Sequence, residues 1–170
     1  MEDKDSIDIF FEEYTASLNF LVTDGSYEPP LIDRQSTWGS IIYKVSDLDI
    51  ALELSLDARD FVVSTYIILF SEASKPEVGY VSLGKVVCLF LEEVLERLIA
   101  KFPSVQEDLK QWRVSVERYH KRVRRSLKML KMPEAEVVRE LFRTDADWVA
   151  HFLRQYREEI IRYARNYWGL

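Results

Sequence analysis

Few residues in this chain have the type and spacing to do chemistry. Cys88 is the single cysteine, set among Val86, Val87, Leu89 and Phe90, the setting of a buried structural thiol rather than a nucleophile. One cysteine excludes an intramolecular disulfide and a cysteine-based zinc cage. His151 has Asp145 and Asp147 nearby, but the two histidines lie far apart in sequence and neither belongs to an i,i+4 His/Glu pair, so no metal site is expected. Phosphate-cradling loops need glycine. There are five glycines, and no G-x-x-x-x-G-K-[ST], G-x-G-x-x-G or G-x-S-x-G run. A metal-dependent nuclease built as helix, three strands and helix needs Asp on one strand and Glu-x-Lys on the next; the third strand run, VVSTYIILF, has neither Glu nor Lys. Glu92, Glu93 and Glu96 read as a solvated helix face. No catalytic, metal or cofactor residue is assigned.

Charge says more. Residues 1–70 hold 14 acidic and 4 basic side chains, a balance of −10, whereas residues 71–170 hold 15 and 19, a balance of +4. Nine basic residues crowd into 110–131 against one acid, Glu117. Across 104–131, Trp112, Val116, Tyr119, Val123, Leu127 and Leu130 recur at spacings of four, three, four, four and three, which stacks them as an apolar keel on one side of a long helix. Arg118, Lys121, Arg122 and Arg125 belong to its basic back. Clustered cations neutralise phosphates, so this back is a candidate nucleic-acid surface. The other reading is an interface or a solvated face, one that can pair with the acidic half of the chain. The absence of base-stacking aromatics on it and the net charge of −6 favour that second reading. In the same helix Arg113 and His120 have six residues between them. The pair resembles the loose R-x(4–6)-H motif of the helical ribonuclease superfamily of toxins and defence systems, which implies action of both residues on an RNA phosphodiester. Val114 stands where that motif usually has a polar residue, and a surface histidine beside Arg122 and Glu117 is the plainer reading.

The elements that carry these residues follow in order. Ile7, Phe10, Phe11, Tyr14, Leu18 and Leu21 keep helical spacing, with Asp5 or Ser6 as cap and Asp24-Gly25 as stop. Pro29-Pro30 holds the chain extended toward a short edge strand near Leu31 and Ile32. Strands are expected at 37–45, at 50–56 with strict alternation, and at 61–70, joined by turns rich in aspartate. The polar run 71–79 separates the halves. A buried helix is expected over 86–99, a second from Ser104 with Glu107 as a capping box, a short third after Pro133 and a fourth from Thr144. The expected fold is α+β: an N-terminal helix, a small antiparallel meander of three to four strands, then a four-helix C-terminal half. The expected organisation is one domain over 1–170, with sub-structure at 1–70 and 80–170.

Asp47, Asp49, Glu53, Asp57 and Asp60 gather on the sheet and its turns, and acidic faces of this kind speed association with basic partners. Trp38, beside Gly39 on the first long strand, is a candidate anchor. The N-terminus is polar and acidic, no apolar run reaches the length of a membrane span, and a cytoplasmic protein is expected. In its small size, acidity and mixed helix–sheet pattern the chain resembles bacterial immunity or antitoxin-type proteins, which cover a basic toxin. That resemblance implies a non-enzymatic protein-binding module, an inhibitor or accessory subunit of a defence system, with a basic protein partner. The alternative expectation is a nucleic-acid-binding or RNA-cleaving protein that uses the basic helix at 110–131. The sequence leaves the oligomeric state open.

Overall fold

The computed structural model describes residues 5–69 and 88–170. Helix α1 (Ser6–Leu18) begins where the Asp5 carboxylate accepts hydrogen bonds from the backbone N–H groups of Ile7 and Asp8, at 2.9 and 3.0 Å. These are donors that a first helical turn otherwise leaves free. Its spacing buries Ile7, Phe10, Tyr14 and Leu18. A one-turn helix α2 (Phe20–Thr23) follows, and Gly25 at φ +77° redirects the chain.

Five antiparallel strands run as a meander in sequence order: β1 (Leu31–Arg34), β2 (Trp38–Lys44), β3 (Ile50–Asp57), β4 (Val62–Leu69) and β5 (Cys88–Phe90). Alternation sends Ile41, Tyr43, Leu52, Leu54, Leu56, Ile67 and Leu89 into the main core. The other face holds a smaller cluster of Ile42, Ala51 and Ile68, with Tyr66 and Cys88 against it. Helix α1 meets the sheet at Gly39, where an added Cβ would sit 3.0 Å from Ile7 Cγ2 and 3.2 Å from Phe11 Cζ. A side chain here would push Ile7 and Phe11 back by a few tenths of an ångström, so glycine lets the helix lie close on the strand.

Three helices complete the chain: α3 (Leu91–Leu98), α4 (Ser104–Lys128) and α5 (Ala135–Trp168). The fold is α+β, as expected, with two differences in count. The fifth strand comes from Cys88–Phe90, inside a run expected as helix; a short apolar run does not distinguish a strand from a buried helix by periodicity. The four expected C-terminal helices are three, because α5 passes through Thr144–Asp147 without a break. Those residues have cap chemistry, but the two aspartates are used elsewhere. Asp147 accepts from the Ser17 hydroxyl at 2.9 Å, and Asp145 points into the core. The capping box at α4 is likewise unformed: the Ser104 hydroxyl lies 2.6 Å from that of Tyr156, and Glu107 accepts from Gln111. The polar run at 71–79 lies outside the described residues. Among the described residues no helix is long and apolar enough to cross a membrane.

One polar node ties three helices together inside the apolar core. The Asp145 carboxylate on α5 accepts hydrogen bonds from the Tyr14 hydroxyl on α1 and from Trp112 Nε1 on α4, the latter at 2.8 Å. Burial pushes the Asp145 carboxyl above its ordinary value, and the two donors only partly offset it. Burial and the neighbouring carboxylate push the Tyr14 phenol well above its own. Nearer the surface, Glu13 is held by Arg139 and Arg143 of α5, at 2.5 and 3.0 Å. Burial would raise its carboxyl, but the two guanidinium groups outweigh that and hold it below the usual range.

The keel of α4 is present with one exception. Val123 is fully buried, and Trp112, Val116, Tyr119 and Leu127 pack partly buried against the core, joined by Val105 and Leu109. Leu130, expected as the last keel residue, is 96 % exposed. The helix has already ended. The N–H of Leu130 donates to the Leu127 carbonyl and that of Lys131 to the Ser126 carbonyl, which is a Schellman terminus with Leu130 in the left-handed position at φ +54°. Helix α5 ends the same way, with Gly169 at φ +69° in that position.

Two outcomes follow. Tyr14→Phe keeps the ring but removes the donor, and should lower unfolding free energy by about 1–3 kcal/mol near neutral pH in urea titrations. Asp145 has a raised folded pKa, so the native state binds the extra proton above pH 3.8, and this site loses stability as pH rises through its folded pKa. The Tyr14→Phe penalty should therefore shrink at about pH 3, where the carboxyl is protonated in both states. Leu130→Gly relieves a left-handed leucine that buries nothing, and should raise stability by about 1 kcal/mol. A loss of 2 kcal/mol or more, the usual cost of truncating a core leucine, would show the side chain to be packed.

Candidate interaction surface

The environment of α4 sorts its charges into flanks. On one flank Arg113 makes ion pairs with Glu92 and Glu96 of α3. One turn pair further on, His120 Nε2 lies 3.3 Å from the Asp60 carbonyl and its Nδ1 3.1 Å from an Arg124 nitrogen. Arg124 in turn reaches Glu117 at 3.4 Å. On the other flank Arg122 pairs with Glu140 of α5 at 3.6 Å, and Asp108 meets His151 at 2.9 Å. Between the flanks, opposite the keel, runs a line of exposed residues: Lys110, Val114, Arg118, Lys121, Arg125 and Lys128. Their spacings of four, four, three, four and three keep them on one edge over about 27 Å of helix. Among the described residues none of the five cations makes an ion pair.

The line runs into the α4–α5 connection. There Met129, Leu130 and Met132 are 59, 96 and 80 % exposed, flanked by Lys128 and Lys131. Scattered exposed hydrophobics are ordinary; three large ones within four residues, at the end of an unpaired basic edge, form a patch. The sequence placed Leu130 on the keel because its spacing continued the pattern. The signal that should have stopped the count one turn earlier is Met132-Pro133, which requires the helix to be over before proline.

The other sequence-predicted site residues are not brought together. Asp47 and Asp49 lie in the β2–β3 turn, whereas Asp57 is the last residue of β3 and Asp60 lies in the turn after it, at the opposite end of the sheet. An eight-residue strand of about 26 Å separates the two pairs. Glu53 lies midway between them, 5 % exposed, and burial pushes its carboxyl up. Asp57 is engaged by Arg59, whose hydrogen bonds and charge hold it below the usual carboxylate range. Trp38 is half-buried on the sheet, its Nε1 donating to the Ser55 hydroxyl at 2.8 Å. These residues do not form one acidic surface. Arg118, Lys121 and Arg125 do share one edge; Arg122 is turned toward α5. Arg113 and His120 share a side of α4, but each is engaged by protein groups. Cys88 is half-buried, its thiol pushed up by burial and by the charges of Glu53 and Glu93. Among the described residues there is no group of three or more His, Cys, Asp or Glu side chains able to hold a metal.

Compared with protein-family models, with curated proteins and with solved structures, the chain matches none.

The engagement of Arg113 and His120 gives a direct expectation. In a fluorescent-RNA cleavage assay, His120→Ala and Arg113→Ala should be indistinguishable from the unaltered protein. A cleavage rate that falls at least about a hundredfold in His120→Ala, the size expected of a general acid–base residue, would restore the ribonuclease reading.

Proposed function

We propose that this protein is a non-enzymatic protein-binding module of the cytoplasm, an inhibitor or accessory subunit of the kind the resemblance to immunity proteins implies. Its working surface is the exposed edge of α4 together with the α4–α5 connection. The carrying observation is the apolar patch of Met129, Leu130 and Met132 at the end of the unpaired line Lys110, Arg118, Lys121, Arg125 and Lys128. A protein interface combines an apolar centre with a polar rim, methionine and arginine being enriched there and lysine depleted. A nucleic-acid backbone has use for the cations but not for an exposed leucine. The complementary surface on the partner is therefore acidic along the edge and apolar opposite Leu130. This reverses the sign of partner that the aspartates suggested, because those aspartates do not share a surface.

A second reading, nucleic-acid binding, is favoured by the straight line of cations alone. The two separate cleanly. The tagged protein is used to capture partners from its source cells, beside Leu130→Asp and Arg118→Glu/Arg125→Glu variants whose unfolding midpoints are unchanged. The protein reading expects one defined protein in stoichiometric amount. Affinity for it should fall about thirtyfold in Leu130→Asp, as for an anchor contributing 2 kcal/mol, and also in the charge-reversed variant. Binding to single-stranded RNA or DNA with a log–log salt slope of roughly −3 to −4, lost on charge reversal and indifferent to Leu130→Asp, would establish the second reading instead.

A further inference from the structure

About 40 Å along the axis of α5 from the apolar patch at the α4–α5 connection, the C-terminal part of that helix faces the segment that follows α2. Between them opens a cleft of about 630 Å³, within the size range of small-molecule sites. One wall is Tyr27 and Val45, held side by side by an isolated β-bridge. The facing wall is α5, which presents Ile161 between Arg157, Arg162 and Arg165. The three arginines differ in state. Arg157 is fixed: it donates to Asp24 at 2.6 Å and to the Ser26 hydroxyl at 2.9 Å. Ser26 and Arg157 together hold the Asp24 carboxyl down at about 2, so this pair stays charged over the whole physiological range. Arg162 and Arg165 are exposed and, among the described residues, make no ion pair, although Glu158 also lines the cleft. Two guanidinium groups one turn apart line the cleft beside the half-buried Val45 and Ile161, while Tyr27 beneath them is almost wholly covered. Burial pushes the Tyr27 phenol up to about 12, leaving it a neutral group at all ordinary pH.

We propose that this cleft binds a small organic phosphate, its phosphoryl group held between Arg162 and Arg165 and its apolar body laid on Val45 and Ile161. Guanidinium forks match phosphate oxygens in pairs, and two of them suit a dianion better than a single carboxylate. The apolar wall accounts for the rest of the volume, which inorganic phosphate would leave empty. The site is independent of the α4 surface and shares no residue with it.

The test uses the full chain and four probes in calorimetric titrations: phenyl phosphate, inorganic phosphate, benzoate and phenol. Phenyl phosphate should bind saturably and about tenfold more tightly than either inorganic phosphate, which lacks the apolar body, or benzoate, which lacks the second charge; phenol should not bind. Arg162→Gln/Arg165→Gln should weaken phenyl phosphate at least about tenfold, the loss expected from one charge-assisted hydrogen bond or more, with the unfolding midpoint unchanged because both residues are exposed. Arg118→Gln/Arg125→Gln should bind as the unaltered protein does. The assignment fails if phenyl phosphate shows no saturation at tens of millimolar, if benzoate binds as tightly, or if the α4 variant rather than the α5 variant loses binding.

Discussion

The helical layer depends on one buried carboxylate. Asp145 stands on α5 inside an apolar core, and its donors come from α1 and α4, more than thirty residues away on either count. An ionised carboxyl cut off from water must find hydrogen bonds, and one left unpaired costs several kcal/mol, against a total stability of about 5–15 for a domain of this kind. Any sliding or rotation of α1 or α4 relative to α5 removes a donor. The node therefore selects one register among the many that apolar packing alone would tolerate. The consequences spread outward. With Tyr14 held, α1 is positioned to meet the sheet at Gly39, and Glu13 is positioned between Arg139 and Arg143. With Trp112 held, the keel of α4 faces the core, and the edge bearing Arg118, Lys121 and Arg125 must face away from it.

Much of this was legible in the sequence because periodicity reports faces. The alternation of Ile50 to Leu56 gave β3, and the recurrence of Trp112, Val116, Tyr119, Val123 and Leu127 gave the inward side of α4. Periodicity does not report partners, and the misreadings share that cause. Thr144, Asp145 and Asp147 have the chemistry of a helix start, and nothing local reveals that Asp145 is spoken for by a tyrosine 131 residues earlier. Ser104 and Glu107 have the spacing of a capping box, but Tyr156 takes the serine. The aspartates of the two sheet turns are close in sequence and distant in space, because an extended strand carries its ends apart faster than any other element. Arg162 and Arg165 of α5, without an ion pair among the described residues, gave no sequence signal at all. Arg162 and Arg165 look like any charged helix residues until Tyr27 and Val45 are brought opposite them.

The polarity between the two halves is also redistributed by the fold. Acids from neighbouring helices meet the flanks of α4: Glu92 and Glu96 at Arg113, and Glu140 at Arg122. Each such exposed pair contributes at most about 1 kcal/mol. Their larger effect is subtractive. They remove the flanks of α4 from the field that a partner would feel, and leave the central line of cations as the charge that can steer an encounter. The nine basic residues of 110–131, read in the sequence as one broad basic back, are thereby narrowed to a directional surface.

The two Schellman termini show why the end of that surface is unlike an ordinary helix end. Helix α5 closes with Gly169 in the left-handed position, the residue for which that backbone is nearly free of cost. Helix α4 closes with Leu130 in the same position, at an expense of about 1 kcal/mol, and its side chain returns nothing to the core. A strained backbone that recovers no packing energy within the chain leaves its side chain available to pack against a partner. The geometry suits that role. The terminus is hydrogen-bonded through Leu127 and Ser126, so the leucine projects from a fixed frame rather than a wandering loop. A fixed anchor loses less entropy on docking than a mobile one, and converts more of its buried area into affinity.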